Sequence, residues 1–122
     1  MRIAIPVDEP SLDAPVCVSF GRAPYFLLYN TVTKETEFLD NSAAAASGGA
    51  GIKAAQAVAD RGTQALISPR CGENAAEVLN GAEITIYKSI AGTAKENLDA
   101  YDDNKLSALS EIHPGFHGHE PK

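Results

Sequence analysis

Two glycine-bearing loops constrain the fold of this chain more than any other feature. The stretches Gly48-Gly49-Ala50-Gly51 and Ser68-Pro69-Arg70-Cys71-Gly72-Glu73-Asn74-Ala75 each follow an apolar run and lead into a segment with helical spacing. A chain that repeats strand, loop and helix in this way points to an α/β sheet whose loops gather at one strand edge. Backbone N–H groups at the two helix starts then face a common anionic ligand. The second loop adds a thiol and a guanidinium side by side, which suits a soft anion better than a plain phosphate.

The remaining elements follow from periodicity. Arg2 to Val7 reads as a buried strand, Tyr25 to Tyr29 as a second and Glu35 to Asp40 as a third, with Val16-Cys17-Val18 a short extended piece between the first two. The link Asn30 to Lys34 has the length of a hairpin loop, so strands two and three are expected to be antiparallel neighbours. A small, low-complexity run, Asn41 to Ser47, precedes a helix expected over Ile52 to Arg61, which stops at Gly62. Ala65 to Ile67 is a short strand, Asn74 to Leu79 a helix and Ile84 to Tyr87 the last strand. Thr93-Ala94-Lys95-Glu96 has the spacing of a capping box and opens a third helix, with Leu98 and Tyr101 on its inner face. Strand-helix-strand crossovers are right-handed, so strands one, three, four and five are expected to point the same way. Their C-terminal ends would bring together Cys17, the loop before Gly51 and the loop from Ser68 to Asn74, where α/β sheets place ligands.

Composition narrows the function. A chain of 122 residues, 44% hydrophobic and 21% charged, has room for one ordinary domain and its core. No apolar run approaches a membrane span, and the first residues do not resemble a signal peptide, so a cytoplasmic protein with no membrane partner is expected. A net charge of −6 without a basic stripe argues against nucleic acid. Two cysteines in a cytosolic chain are more often reduced than bridged.

The ordered set Ile3-Ala4-Ile5-Pro6-Val7-Asp8, Phe20-Gly21-Arg22-Ala23-Pro24-Tyr25-Phe26, Gly48-Gly49-Ala50-Gly51 and Gly72-Glu73-Asn74-Ala75 resembles the dinitrogenase iron-molybdenum cofactor biosynthesis family over about residues 1 to 106. This is the small domain of NifX-like proteins, of the end of NifB-like proteins and of orange proteins. The resemblance implies a ribonuclease H-like α/β fold: a mixed five-stranded sheet with one antiparallel hairpin strand, otherwise parallel, flanked by helices. It implies binding or carriage of a metal–sulfur cluster, of iron–sulfur or molybdenum–copper sulfide type, and a metallocluster donor or acceptor protein as partner. Residues 107 to 122 are expected to form a flexible, His-containing tail. Ser19 stands where many members carry His, and Pro69-Arg70 where many have two glycines.

Taken from the residues, Cys71 and Cys17 are candidate thiolate ligands, with Cys71 the stronger because a helix start lowers a thiol pKa. Arg22 and Arg70 would offset anionic charge, while Gly49, Ala50, Gly51, Gly72 and Asn74 would offer N–H groups. His113, His117 and His119, the only histidines of the chain, are further candidate metal ligands. Two thiols are too few for a four-cysteine iron–sulfur site, which suits a carrier better than a resident redox centre. An enzyme is not expected. Asp8 ends the first strand and Asp40 the third, but the strand Ala65 to Ile67 ends in Ser68 and supplies no carboxylate, and no His outside the tail could serve Cys71 as base. The alternative is a regulatory or adaptor module that binds a protein partner such as an ATPase, with structural cysteines.

Overall fold

The computed structural model describes residues 1–41 and 49–109. Gly48, the run from Ser42 to Ser47, and His113, His117 and His119 lie outside the described residues. Eight elements follow in chain order: β1 (Arg2–Val7), β2 (Tyr25–Asn30), β3 (Thr36–Asp40), α1 (Ala50–Asp60), β4 (Ala65–Ser68), α2 (Glu73–Gly81), β5 (Thr85–Lys88) and α3 (Ala94–Asp102). They build one sheet in the order β3-β2-β1-β4-β5. β2 is antiparallel to both β1 and β3, whereas β4 runs parallel to β1 and to β5. Four strands therefore share one direction and the hairpin strand opposes them, as the sequence led us to expect.

Period-2 alternation divides the core between the two faces. Ile3, Ile5 and Val7 of β1, Leu27 of β2 and Ile67 of β4 join Ala94 and Leu98 of α3. Ala4, Phe26, Leu28 and Leu66 point the other way, onto Ala54, Ala55 and Val58 of α1 and Ala75, Ala76 and Leu79 of α2. The central strands are thus apolar on both faces, as buried strands must be. The crossovers β3-α1-β4 and β4-α2-β5 advance across the sheet in one sense, so right-handed connections place both helices on one face. The alanines on those helices let their axes approach: a Cβ built on Gly51 would lie 3.5 Å from the Cβ of Ala75. Val58 and Leu79 are fully buried, each contributing about 2 kcal/mol.

Pairing is short at one place in the sheet and extended at another. Pairing of β1 with β4 covers Ile3 and Ala4, two residues before Pro6, which has no N–H to donate. At the far edge the chain continues to pair beyond Leu106: Lys88 N–H donates to Ser107 O at 2.8 Å and Leu109 N–H to Ile86 O at 2.8 Å. The hairpin forms as expected, with Asn30 Oδ1 accepting from Val32 N–H at 2.8 Å and from Thr33 N–H at 3.1 Å. α1 begins two residues before its expected start and ends at Asp60, one residue short of Arg61, while α2 runs past both expected limits, from Glu73 to Gly81.

Candidate functional site

The C-terminal ends of the parallel strands carry a cleft of about 630 Å³ with three walls: residues 18–22 from the β1–β2 connection, residues 49–52 at the start of α1, and residues 70–75 around the start of α2.

The first wall is held by backbone and amide contacts. Val7 bridges Val16, and Cys17 N–H donates to Pro6 O at 2.8 Å, so the connection runs back along β1. Buried Asn41, which follows β3, donates from Nδ2 to Ala23 O at 2.7 Å and to Gly21 O at 3.3 Å, and its own N–H donates to Pro24 O at 3.0 Å. Phe20 anchors the wall beneath, its ring 5.1 Å from that of Phe26. Gly21 is required where the wall meets α1: a Cβ there would lie 2.9 Å from both the Cα and the N of Gly51.

The other two walls are helix starts with glycine caps. Gly49 caps α1 at φ 70°, ψ 20°, a left-handed conformation that favours glycine, and Gly72 caps α2 at φ −71°, ψ 159°. Neither cap supplies a side-chain hydrogen bond. The first intrahelical bonds run from Lys53 N–H to Gly49 O (3.0 Å) and from Ala76 N–H to Gly72 O (2.9 Å). The N–H groups of Ala50, Gly51 and Ile52, and of Glu73, Asn74 and Ala75, precede those bonds and stand at the cleft. The Ser68 hydroxyl donates to Arg70 O at 2.7 Å and so shapes the turn out of β4. Each helix start presents the positive end of its dipole to the same space.

Arg22 and Arg70 line the cleft and are exposed, and Glu73 is the one acid among the described lining residues. The cleft therefore carries an excess of positive charge in a chain whose net charge is −6. Ser19, at the position where family resemblance called for His, also lines it.

The thiols differ from the sequence expectation. Cys71 lines the cleft yet is only 1% exposed, packed in the same core as Phe20 and Ala75. Burial pushes its pKa up to about 11, so desolvation outweighs the lowering that a helix start was expected to produce. Cys17 is buried behind the first wall and does not line the cleft; burial raises its pKa, the Ser19 backbone N–H opposes this, and the hydrogen-bonded Asp8 carboxylate adds to the rise. Both thiols are free. Among the described residues no three His, Cys, Asp or Glu side chains group to hold a metal ion. The donor set of the cleft, N–H groups and guanidinium, fits an anion that brings its own ligands and does not fit a bare cation.

Of the residues singled out from sequence, the structure brings Arg22, Gly49, Ala50, Gly51, Arg70, Cys71, Gly72 and Asn74 to one cleft and leaves Cys17 outside it. Val18, Phe20, Gly21 and Glu73 belong to the lining and had not been chosen. Phe20, Gly21 and Glu73 all sit inside the motifs that carry the family resemblance, which was the available signal. Among the described residues no helix is long and apolar enough to cross a membrane.

Comparison with known proteins gives one consistent answer. The apo form of the orange protein from Desulfovibrio gigas superposes with a TM-score of 0.85 and is 31% identical, over 89% of this chain and 92% of that one. A provisionally named NifB protein of Thermotoga, from the DUF35 family, superposes with a TM-score of 0.82 at 33% identity, over 94% of this chain and 98% of its own. An uncharacterised protein of Methanocaldococcus jannaschii is 28% identical over 109 residues, 87% of this chain and 89% of that protein. The profile of the dinitrogenase iron-molybdenum cofactor family matches residues 1–104, and the chain belongs to that family.

Proposed function

We propose that the cleft binds an anionic metal–sulfur cluster, of iron–sulfur or molybdenum–copper sulfide type, as cargo, and that the protein passes it to or from a metallocluster assembly partner without turnover of its own. The observation that carries this reading is the convergence of two glycine-capped helix starts and the guanidinium groups of Arg22 and Arg70 on one cleft. Sulfides of a cluster accept hydrogen bonds from the six first-turn N–H groups, and charge-assisted bonds from the arginines add to them. Cys71, neutral near pH 7, supplies a thiol wall rather than a ready thiolate. A cargo held by such contacts keeps its own sulfide ligands and can leave intact, which is what a carrier needs. The family name and the orange and NifB relatives support the same class of cargo.

The test is anaerobic reconstitution of reduced protein with tetrathiomolybdate plus copper(I), and separately with iron plus sulfide, read by metal analysis and visible absorption after gel filtration. Stoichiometric coloured protein is expected, retained when His113, His117 and His119 are all replaced by Ala and diminished in Arg70→Gln. Colourless protein with both mixtures, or colour that disappears with the histidines, would refute the cleft as a cluster site and turn attention to an adaptor role.

A further inference from the structure

Asn41 follows the edge strand β3 and is buried, and its hydrogen bonds all reach across to the first wall of the cleft. Its backbone N–H donates to Pro24 O at 3.0 Å and so prolongs the β2–β3 ladder by one rung beyond the pair Tyr25 and Asp40. Its side-chain amide goes further along the wall, donating from Nδ2 to Ala23 O at 2.7 Å and to Gly21 O at 3.3 Å. One residue thus holds three of the four carbonyls from Gly21 to Pro24, and the one it passes over is that of Arg22.

We infer that Asn41 is the positioning residue of Arg22: its amide, clamped on the carbonyls before and after that arginine, fixes the backbone from which the side chain leaves for the cleft. This rests on the reading that the cleft holds an anionic cargo. Residues 18–24 lie outside helices and strands, so no ladder of their own orders them. An arginine on such a segment, left loose, loses backbone as well as side-chain freedom when it closes on an anion, and that loss comes out of affinity. With its root fixed beforehand, exposed Arg22 has only its side chain to order. Two other roles for the same clamp make different predictions. A purely structural amide, satisfying carbonyls in a buried place, affects stability and treats the two cleft arginines alike. An amide that acts through Gly21, whose backbone abuts Gly51, shifts the wall against α1 and weakens binding whether or not Arg22 is present.

Double-mutant cycles separate these roles. Anaerobic titration calorimetry with tetrathiomolybdate is made on the full chain as wild type, Asn41→Ala, Arg22→Gln, Arg70→Gln, and the pairs of Asn41→Ala with each arginine variant. Asn41→Ala is expected to weaken binding about fivefold and Arg22→Gln about tenfold, with the double variant also near tenfold, whereas the losses from Asn41→Ala and Arg70→Gln multiply. Losses that multiply in both pairs, or that overlap equally in both, would overturn the assignment. A second reading needs no cargo: in the ligand-free protein, amide order parameters of residues 21–23 from nitrogen-15 relaxation are expected to fall from about 0.85 to below about 0.6 in Asn41→Ala. Unchanged order there would equally overturn it. Should Asn41→Ala fail to fold, Asn41→Asp, which keeps the volume and at neutral pH lacks the two amide donors, takes its place in both experiments. Wild type that takes up no tetrathiomolybdate, while residues 21–23 still loosen in the variant, would remove the cargo reading and leave Asn41 the anchor of the Arg22 segment.

Discussion

The three helices among the described residues begin in two different ways. α3 is closed at its start: the Thr93 hydroxyl accepts from Glu96 N–H at 3.1 Å while the Glu96 carboxylate accepts from Thr93 N–H at 2.8 Å. Behind it, fully buried Asn97 takes Ile90 N–H on Oδ1 at 2.8 Å and donates to Ile90 O and Thr93 O, so the approach to the helix is tied down as well. α1 and α2 begin at glycines that offer no side-chain acceptor, and both open onto the cleft. Nothing in helix physics prevented Ser, Thr or Asp at Gly72, whose backbone is extended and whose absent Cβ would meet no atom within 4 Å. A helix start that satisfies itself needs no ligand; two that stay open toward one space are what the proposed binding reading rests on.

The largest expected effect breaks the geometry that brings the two open starts together. Gly21→Ala sets a methyl 2.9 Å from the backbone of Gly51 and must push the first wall off α1. A loss of about 3 kcal/mol in urea unfolding is expected, with cluster loading abolished in the protein that still folds. Wild-type stability would mean that this backbone contact does not position the wall.

A second effect concerns what the start of α2 does to its own neighbour. The folded protein holds the Cys71 proton to about pH 11, whereas an ordinary thiol releases it near 9.0. This raised value contributes stability that is complete below about pH 9 and is lost as the pH climbs through the folded value, about 2 kcal/mol in all. The difference in unfolding free energy between wild type and Cys71→Ala should therefore shrink as pH rises from 8 to 11. A constant difference would mean that the open helix start, and not burial, governs this thiol.

A smaller effect tests the closed start. Thr93→Ala should cost about 1 kcal/mol through loss of the capping box and leave cluster affinity unchanged. A parallel fall in affinity would place α3 in the site and dissolve the distinction between the two kinds of start.

This contrast also explains what could be read in the sequence. Strands declared themselves because Ile3, Ile5 and Val7 alternate with Ala4, and α3 because Thr93 and Glu96 stand three apart. The start of α1 was placed two residues late, at Ile52, because Gly49-Ala50-Gly51 lacks a capping side chain and has the composition of a loop. The same absence that hid the helix start is what leaves its first N–H groups without a side-chain cap. Walls of the cleft were legible as ordered motifs. The protonation of Cys71 was not, because it depends on the packing of Phe20 and Ala75 around the thiol, contacts that no local pattern encodes. The need for glycine at Gly21 was illegible for a similar reason: its partner, Gly51, lies in a different element and meets it only through the sheet topology.

The most direct measurement gives α2 the cap it lacks. Gly72→Ser adds a neutral hydroxyl that can accept from the first-turn N–H groups now facing the cleft, with no change in charge and no clash. Thermal unfolding should show a gain of about 0.5 kcal/mol, while the affinity for the molybdenum–copper sulfide cluster falls about tenfold, a stability gain coupled to a loss of function. A variant that gains the stability and still binds cluster as tightly as the wild type would contradict the claim that the open helix starts are the binding site.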